Sequence, residues 1–300
     1  MSSAHKHSHG HSHVENGRRL GWAALLTAGF MVAEAAGGIL SGSLALLADA
    51  GHMLTDAASL GFAWFAFRLA RRPADAQRTY GFHRLQVLAA GANGLTLVFI
   101  AFAILYEAMH RLNEPMPVLA GPMLAIAVGG LLVNVLAFYV LHGAERDNLN
   151  IRGALLHVVG DLLGSAATIV AALVILWTGW TPIDPLLSVA VALLILRSAW
   201  FIVRDAGHIL LEAAPAHIDV RVLKQEVLAA VPGVEDVHHV HAWSLTQDRI
   251  MVTLHARVSE AAQGDHITSA IKTFLRQRHG IEHATVEIER EACADEIRAC

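Results

Sequence analysis

Ala48-Asp49-Ala50-Gly51-His52-Met53-Leu54-Thr55-Asp56 sets three ionisable side chains inside an apolar run that extends from Leu44 to Leu69. A second run, Leu149 to Trp177, carries His157-Val158-Val159-Gly160-Asp161, so a His followed four residues later by an Asp occurs twice. On an α-helix residues four apart share a face, which sets each His beside its Asp. At 1.5 Å per residue from Leu44, His52 and Asp56 lie about 12 and 18 Å along the helix. The second run, oppositely directed, gives similar depths for His157 and Asp161. An ionisable group at mid-bilayer costs about 2.5–3.5 kcal/mol on insertion scales. Two imidazoles and two carboxylates facing one another offset that cost by binding a cation, and together they suit tetrahedral Zn²⁺. Asp49, three residues before His52, falls on much the same face, as an outer acceptor, a proton carrier or a spare ligand. The competing reading is a hydrogen-bonded polar cluster that joins two helices. Glu34 and Asn134, each alone in its apolar run, are not counted among the ligands.

Working outward, long apolar runs cover about Leu20–Leu40, Leu44–Leu69, Gln86–Met109, Leu119–His142, Leu149–Trp177 and Leu186–Val203. Each is near the roughly 20 residues a helix needs to cross the hydrocarbon, which predicts an all-α bundle of six transmembrane helices over residues 20–211. Composition agrees: of 300 residues 55% are hydrophobic and 16% charged, with mean hydropathy +0.48, outside the habit of water-soluble domains. Arg18 and Arg19 precede the first run, Arg68, Arg71, Arg72, Arg78 and Arg84 flank the link after the second, Arg146 and Arg152 surround the fourth link, and Arg204 follows the sixth run. The links Ser41–Ser43 and Thr178–Pro185 hold no Lys or Arg, and the third offers only Arg111. Basic residues favour the cytosolic side, so both termini are expected there.

Residues 1–19 form a His-rich cytosolic tail, with His5, His7, His9, His11 and His13 in a polar tract that reads as disordered without metal. It has no apolar core of the kind a signal peptide needs. Net charge is −4, so no broad basic surface points to nucleic acid. Lys6, Lys224 and Lys272 are the only lysines and none sits in a Gly-rich phosphate loop, which speaks against ATP.

Residues 212–300 change to the pattern of a small α+β domain. Asp219 opens a helix to about Val231, Val237–Leu245 and Ile250–Val258 read as strands, Asp265–Arg278 as a second helix and Ala284–Ile288 as a last strand, an αββαβ order. His238, His239 and His241 on one strand, His255 on the next and His266 at the start of the second helix, with Glu287 and Glu289 on one face of the last strand, form a second collection for one or two zinc ions, of which His238, His241, His255, His266, Glu287 and Glu289 are the candidate ligands. Cys293 and Cys300 are available as thiolates, and no disulfide framework is implied.

These residues resemble the cation diffusion facilitator family, in particular its zinc-exporting branch with a His/Asp membrane site. The resemblance runs over nearly the whole chain: Ser43-Leu44-Ala45-Leu46 leading to Asp49, His52 and Asp56; Arg72-Pro73-Ala74-Asp75 with Tyr80-Gly81-Phe82; His157 to Asp161 followed by Leu162-Leu163-Gly164-Ser165; and His241-Ala242-Trp243-Ser244-Leu245. It implies a bacterial inner-membrane homodimer that exchanges cytosolic Zn²⁺ for external protons by alternating access. It also implies a metallochaperone-like tail domain for dimerisation and metal sensing, with Zn²⁺ as substrate and as a structural or regulatory ion, and no catalytic cofactor. Some relatives bind a further metal after the second span; Arg78 and Phe82 stand where His would be wanted, and Asp75 alone remains. Arg84 and Glu212 match positions where relatives carry a charge pair, and an Arg–carboxylate pair is expected to be bidentate.

The residues suit transport, because Zn²⁺ takes deprotonated Asp and neutral His, and protons compete for the same atoms. Two rivals are a membrane metal sensor without transport and an intramembrane metalloenzyme. The enzyme needs an open coordination position and a general base, and a four-ligand set leaves no position free. Co²⁺, Cd²⁺ and Ni²⁺ fit the same donors.

Overall fold

The structure is a computed structural model. It describes the backbone of residues 9–70, 72–142, 149–260, 262–291 and 293, and the side chains of these apart from 9–24, 56, 59, 60, 62–64, 66, 67, 70, 141, 142 and 149–157. There are two compact units, Met1–Gly61 with Asn93–Trp200, and Phe62–Ala92 with Phe201–Cys300.

The first two thirds of the chain are helical: α1 (His9–Ser41), α2 (Leu44–Ala70), α3 (Arg84–Asn113), α4 (Ala120–His142), α5 (Leu149–Thr178) and α6 (Ile183–Leu210). Among the described residues four stretches are long and apolar enough to cross a bilayer: Arg84–Asn113, Ala120–Val140, Val158–Thr178 and Ile183–Leu210. The described apolar parts of α1 and α2, Leu25–Ser41 and Leu44–Thr55, are shorter. Large apolar side chains point outward, with Phe99 and Tyr106 each 74% exposed and Trp177 81%. Helices apolar on every side need lipid or protein around them. The His-rich opening departs from its reading as disordered, since α1 already runs from His9. Once the apolar part has nucleated a helix, each further residue gains a hydrogen bond at little cost. His5 and His7 lie outside the described residues.

α1 and α4 approach closely. A Cβ on Gly37 would stand 2.5 Å from Ile126 Cγ1, and one on Gly130 2.8 Å from the Phe30 ring, so no larger residue fits there as the helices stand. α1 gives way to α2 through Gly42, whose φ of 72° is the left-handed conformation that glycine adopts freely. The N-terminus of α2 is then capped from a distance. Asp184, at the start of α6 and fully buried, accepts hydrogen bonds from the Ser43 hydroxyl, from Leu44 N–H at 2.8 Å and from Ala45 N–H at 3.2 Å. A carboxylate at a helix N-terminus satisfies orphan N–H groups and meets the positive end of the helix dipole. Leu46 packs with Met123, Ala171 and Ala172, which sets the start of α2 against α4 and α5.

In the second unit, α7 (Val220–Ala230), β1 (Val234–Thr246), β2 (Arg249–Val258), α8 (Gly264–His279) and β3 (His283–Glu289) follow in order. The sheet order is β1-β2-β3, with β1 and β2 antiparallel and β2 and β3 parallel. Parallel neighbours require a crossover, here supplied by α8. Leu223 and Val227 of α7 and Ile267, Ile271 and Leu275 of α8 pack in one core with Val252, Leu254 and Ala256 of β2. Because strand side chains alternate, Thr253, His255 and Arg257 are left on the opposite face of the sheet.

β1 breaks that alternation. His238 pairs with His255 but His241 pairs with Thr253, three residues on one strand against two on the other. The extra residue is a β-bulge, and His239 within it has φ 46°, rare for a residue with a side chain.

Candidate metal sites

In the membrane unit four helices bring polar groups to one place. Asp161 of α5 is 7% exposed and Glu34 of α1 3%. Asp49 of α2 hydrogen-bonds Glu34, and the charge of Asp161 acts on the same carboxyl. Asp49 Oδ2 also lies against α5, where a Cβ on Gly164 would stand 4.0 Å from it. Asn134 of α4 donates to Ser165 Oγ, one turn beyond Asp161, at 3.4 Å. His52 is half-buried on α2, one turn from Asp49, and its carbonyl accepts from Thr55 Oγ1 at 2.7 Å. The face of α2 that carries Asp49 and His52 is therefore turned toward the face of α5 that carries Asp161 and Gly164. Asp56 and His157 belong to α2 and α5 by their backbone, four residues from His52 and Asp161, but their side chains lie outside the described ones. Glu34 and Asn134, passed over in the sequence, are buried at this junction. A lone acid or amide in an apolar run is a signal that could have marked them.

On the sheet face that the helices leave open, a second cluster forms in the tail domain. His238 Nε2 stands 2.9 Å from Glu289 Oε2, and His255 Nδ1 2.9 Å from Glu289 Oε1. His255 Nε2 is 3.5 Å from Glu287 Oε2. Cys293 Sγ lies 3.6 Å from His255 Nδ1 and 3.9 Å from His239 Nδ1. One donor atom each from His238, His255, Glu289 and Cys293 fall within 4.8 Å of one another. Behind them Asp236 accepts from His238 Nδ1 at 3.1 Å and pairs with Lys224 at 3.1 Å, which leaves Nε2 as the free donor position of that ring. Burial alone would raise the Glu289 carboxyl, but hydrogen bonds from Cys293 and His255 and the charge of two imidazoles outweigh it and hold the carboxyl below its usual range.

The donor set fits a resident Zn²⁺. His238 Nε2 and Glu289 Oε2 are both buried, neither finds a hydrogen-bond partner among the described residues, and they face each other at 2.9 Å. Bonds of about 2.0–2.3 Å in a tetrahedron place donors roughly 3.3–3.8 Å apart, so only a small adjustment separates this arrangement from a coordination shell.

A model of the cation efflux transmembrane domain matches residues 22–211, and one of the cation efflux protein cytoplasmic domain matches residues 215–291. The chain belongs to the cation efflux family, also called the cation diffusion facilitators. It is 50% identical over 294 residues to the zinc transporter ZitB of Escherichia coli (strain K12), covering 97% of this chain and 94% of the relative. It is 40% identical over 290 residues to the cadmium, cobalt and zinc/H(+)-K(+) antiporter of Bacillus subtilis (strain 168), covering 94% and 93%. Among solved structures, the metal-bound C-terminal domain of the CzcD transporter from Cuprividus metallidurans is 27% identical, covers 24% of this chain and 99% of that one, and has a TM-score of 0.23.

Within this family member, the histidines expected to act together in the tail domain separate. His238, His255 and Glu289 cluster, with Glu287 at the edge. His241 is exposed and lines a different groove with Glu212, Val220 and Trp243. It faces the same side as His255 but two residues further along β2, beside Thr253. His266 is exposed on α8 and lines a groove with Val231 and Phe274; α8 packs on the opposite sheet face, so His266 cannot reach the cluster. His239 lies beside the cluster, its ring centroid 5.0 Å from that of His255. In the link after α2, Asp75 accepts from the N–H groups of Gln77 and Arg78 and pairs with the Arg78 guanidinium. Arg84 donates through Nη2 to Glu212 Oε1 at 2.6 Å, while its buried Nε makes no hydrogen bond, so the contact is single rather than forked.

Proposed function

We propose that this chain exports Zn²⁺ from the cytosol in exchange for protons by alternating access, with Co²⁺, Cd²⁺ and Ni²⁺ as further candidate substrates. The carrying observation is the junction of α2 and α5, where Asp49 lies against Gly164 and shares Glu34 with the charge of Asp161. His52, Asp56, His157 and Asp161 form the transport site on this reading, with Asp49 outside the ligands. The relatives named above as a zinc transporter and as a metal/H⁺ antiporter support the same substrate class. α1 and α2 complete six spans, both termini lie in the cytosol of a bacterium, and two chains pair through their tail domains. The cytoplasmic domain match supports that tail placement. The tail cluster holds Zn²⁺ through His238, His255 and Glu289 as a structural or regulatory ion.

The chemistry is competitive. Zn²⁺ binds carboxylates and neutral imidazoles, so loading from the cytosol releases protons, and protonation from the outer side expels the metal. A metal-triggered proton release assay tests the site. Detergent-solubilised protein should release protons on Zn²⁺ addition from its transport and tail sites. Asp161→Ala should lose the transport-site share and all Zn²⁺ flux in proteoliposomes while retaining the fold. Intact flux in Asp161→Ala would remove Asp161 from the transport site.

A further inference from the structure

We propose that Cys293 supplies a thiolate to the tail metal, so that the segment following β3 is fastened by the ion and the site favours soft, thiophilic divalent cations. The proposal rests on the reading of His238, His255 and Glu289 as a metal site and adds the donor that completes it.

With only His238, His255 and Glu289, the shell has three protein ligands and an open position, the arrangement of exchangeable or catalytic sites. A fourth protein donor closes it. Cys293 stands where that donor is needed. Its sulfur is 3.6 Å from His255 Nδ1, the same nitrogen that lies 2.9 Å from Glu289 Oε1, and it belongs to the group of four donors within 4.8 Å. The site is shielded, with the side chains of Glu289 6% and His255 12% exposed. Cys293 follows Glu289, the last residue of β3, by four positions, and its sulfur lies beside the imidazoles of His255 on β2 and His239 on β1. Binding forms a metal–sulfur bond, breaks the S–H bond and releases that proton to solvent.

Two consequences follow from the chemistry. A thiolate raises preference for Zn²⁺ and Cd²⁺ over Mn²⁺ and Mg²⁺, whereas an all His and carboxylate shell discriminates less. The ligated sulfur is also withdrawn from alkylating reagents, since the free thiolate is the reactive species.

The test uses the full chain in detergent with Co²⁺ as probe. Thiolate ligation gives a sulfur-to-cobalt charge-transfer band in the near ultraviolet that His and Asp ligands do not, and the chain has only two cysteines, Cys293 and Cys300. Wild type and Cys300→Ser should show the band, its full amplitude matching one thiolate-bound Co²⁺ per chain, and Cys293→Ser should not. Zn²⁺ should slow alkylation of Cys293, mapped by mass spectrometry, because the ligated sulfur is no longer a free thiolate. A chelator or His255→Ala should restore the reactivity. The band should persist in Asp161→Ala, so a failure of the transport reading leaves this result standing. No band in wild type, a band that survives Cys293→Ser, or Cys293 alkylation indifferent to Zn²⁺ would each overturn the proposal.

Discussion

Asp184 shows what a single carboxylate does for the site without touching it. Its oxygens take the Ser43 hydroxyl and the first free N–H groups of α2, the helix that carries Asp49 and His52. A buried donor left without an acceptor costs about 1–3 kcal/mol. Asp184→Ala should therefore lower stability by about 3 kcal/mol or more, and Asp184→Asn, which keeps one acceptor oxygen, by less. Thermal denaturation in detergent checks this ordering, and equal melting temperatures for the two variants would contradict it. The sequence does not disclose this cap, because the acceptor lies 140 positions from the helix it serves. The sequence singles out His52, Asp56, His157 and Asp161 because a four-residue interval inside an apolar run is a local pattern. Glu34 and Asn134 were harder, since one polar residue per helix leaves its neighbours unknown until the helices are packed.

At the scale of elements, the extents of α7, β2, α8 and β3 follow to about a residue from the 3.6 and 2.0 periods of their apolar residues, whereas β1 begins at Val234, three residues before the run expected from Val237. Nor does the bulge in β1 follow from them, because alternation alone would send His239 to the face opposite His238. Instead the extra residue and the φ of 46° bring its imidazole near His255 and Cys293. Helix packing makes a second distinction that composition hides. Gly37 and Gly160 are both glycines in apolar helices, yet a Cβ at Gly37 would collide with Ile126 while one at Gly160 meets nothing within 4 Å among the described residues. Gly37→Val should destabilise by about 1–3 kcal/mol through overpacking. Gly160→Ala should be neutral or slightly stabilising, because Ala is the better helix former. Comparing their melting temperatures decides between packing and a general intolerance of substitution in these helices.

For the whole molecule, Arg84 and Glu212 join the start of α3 to the segment that follows α6. Their contact is a single hydrogen bond with Glu212 59% exposed, a setting in which ion pairs contribute about 0–1 kcal/mol. A role in transport must then come from holding a geometry. Arg84→Glu and Glu212→Arg should each reduce flux, and the double reversal should recover much of it at matched expression and dimerisation. A double variant no better than the worse single one would show that the residues do not act as a pair. Exchange of metal for protons is measured directly as Zn²⁺ movement in proteoliposomes with a zinc-sensing dye inside and an imposed pH gradient. An acidic lumen should drive Zn²⁺ accumulation with simultaneous lumenal alkalinisation, and an ionophore that collapses the gradient should stop both. Zn²⁺ entry at the same rate with and without the gradient, and with no change in lumenal pH, would contradict proton exchange.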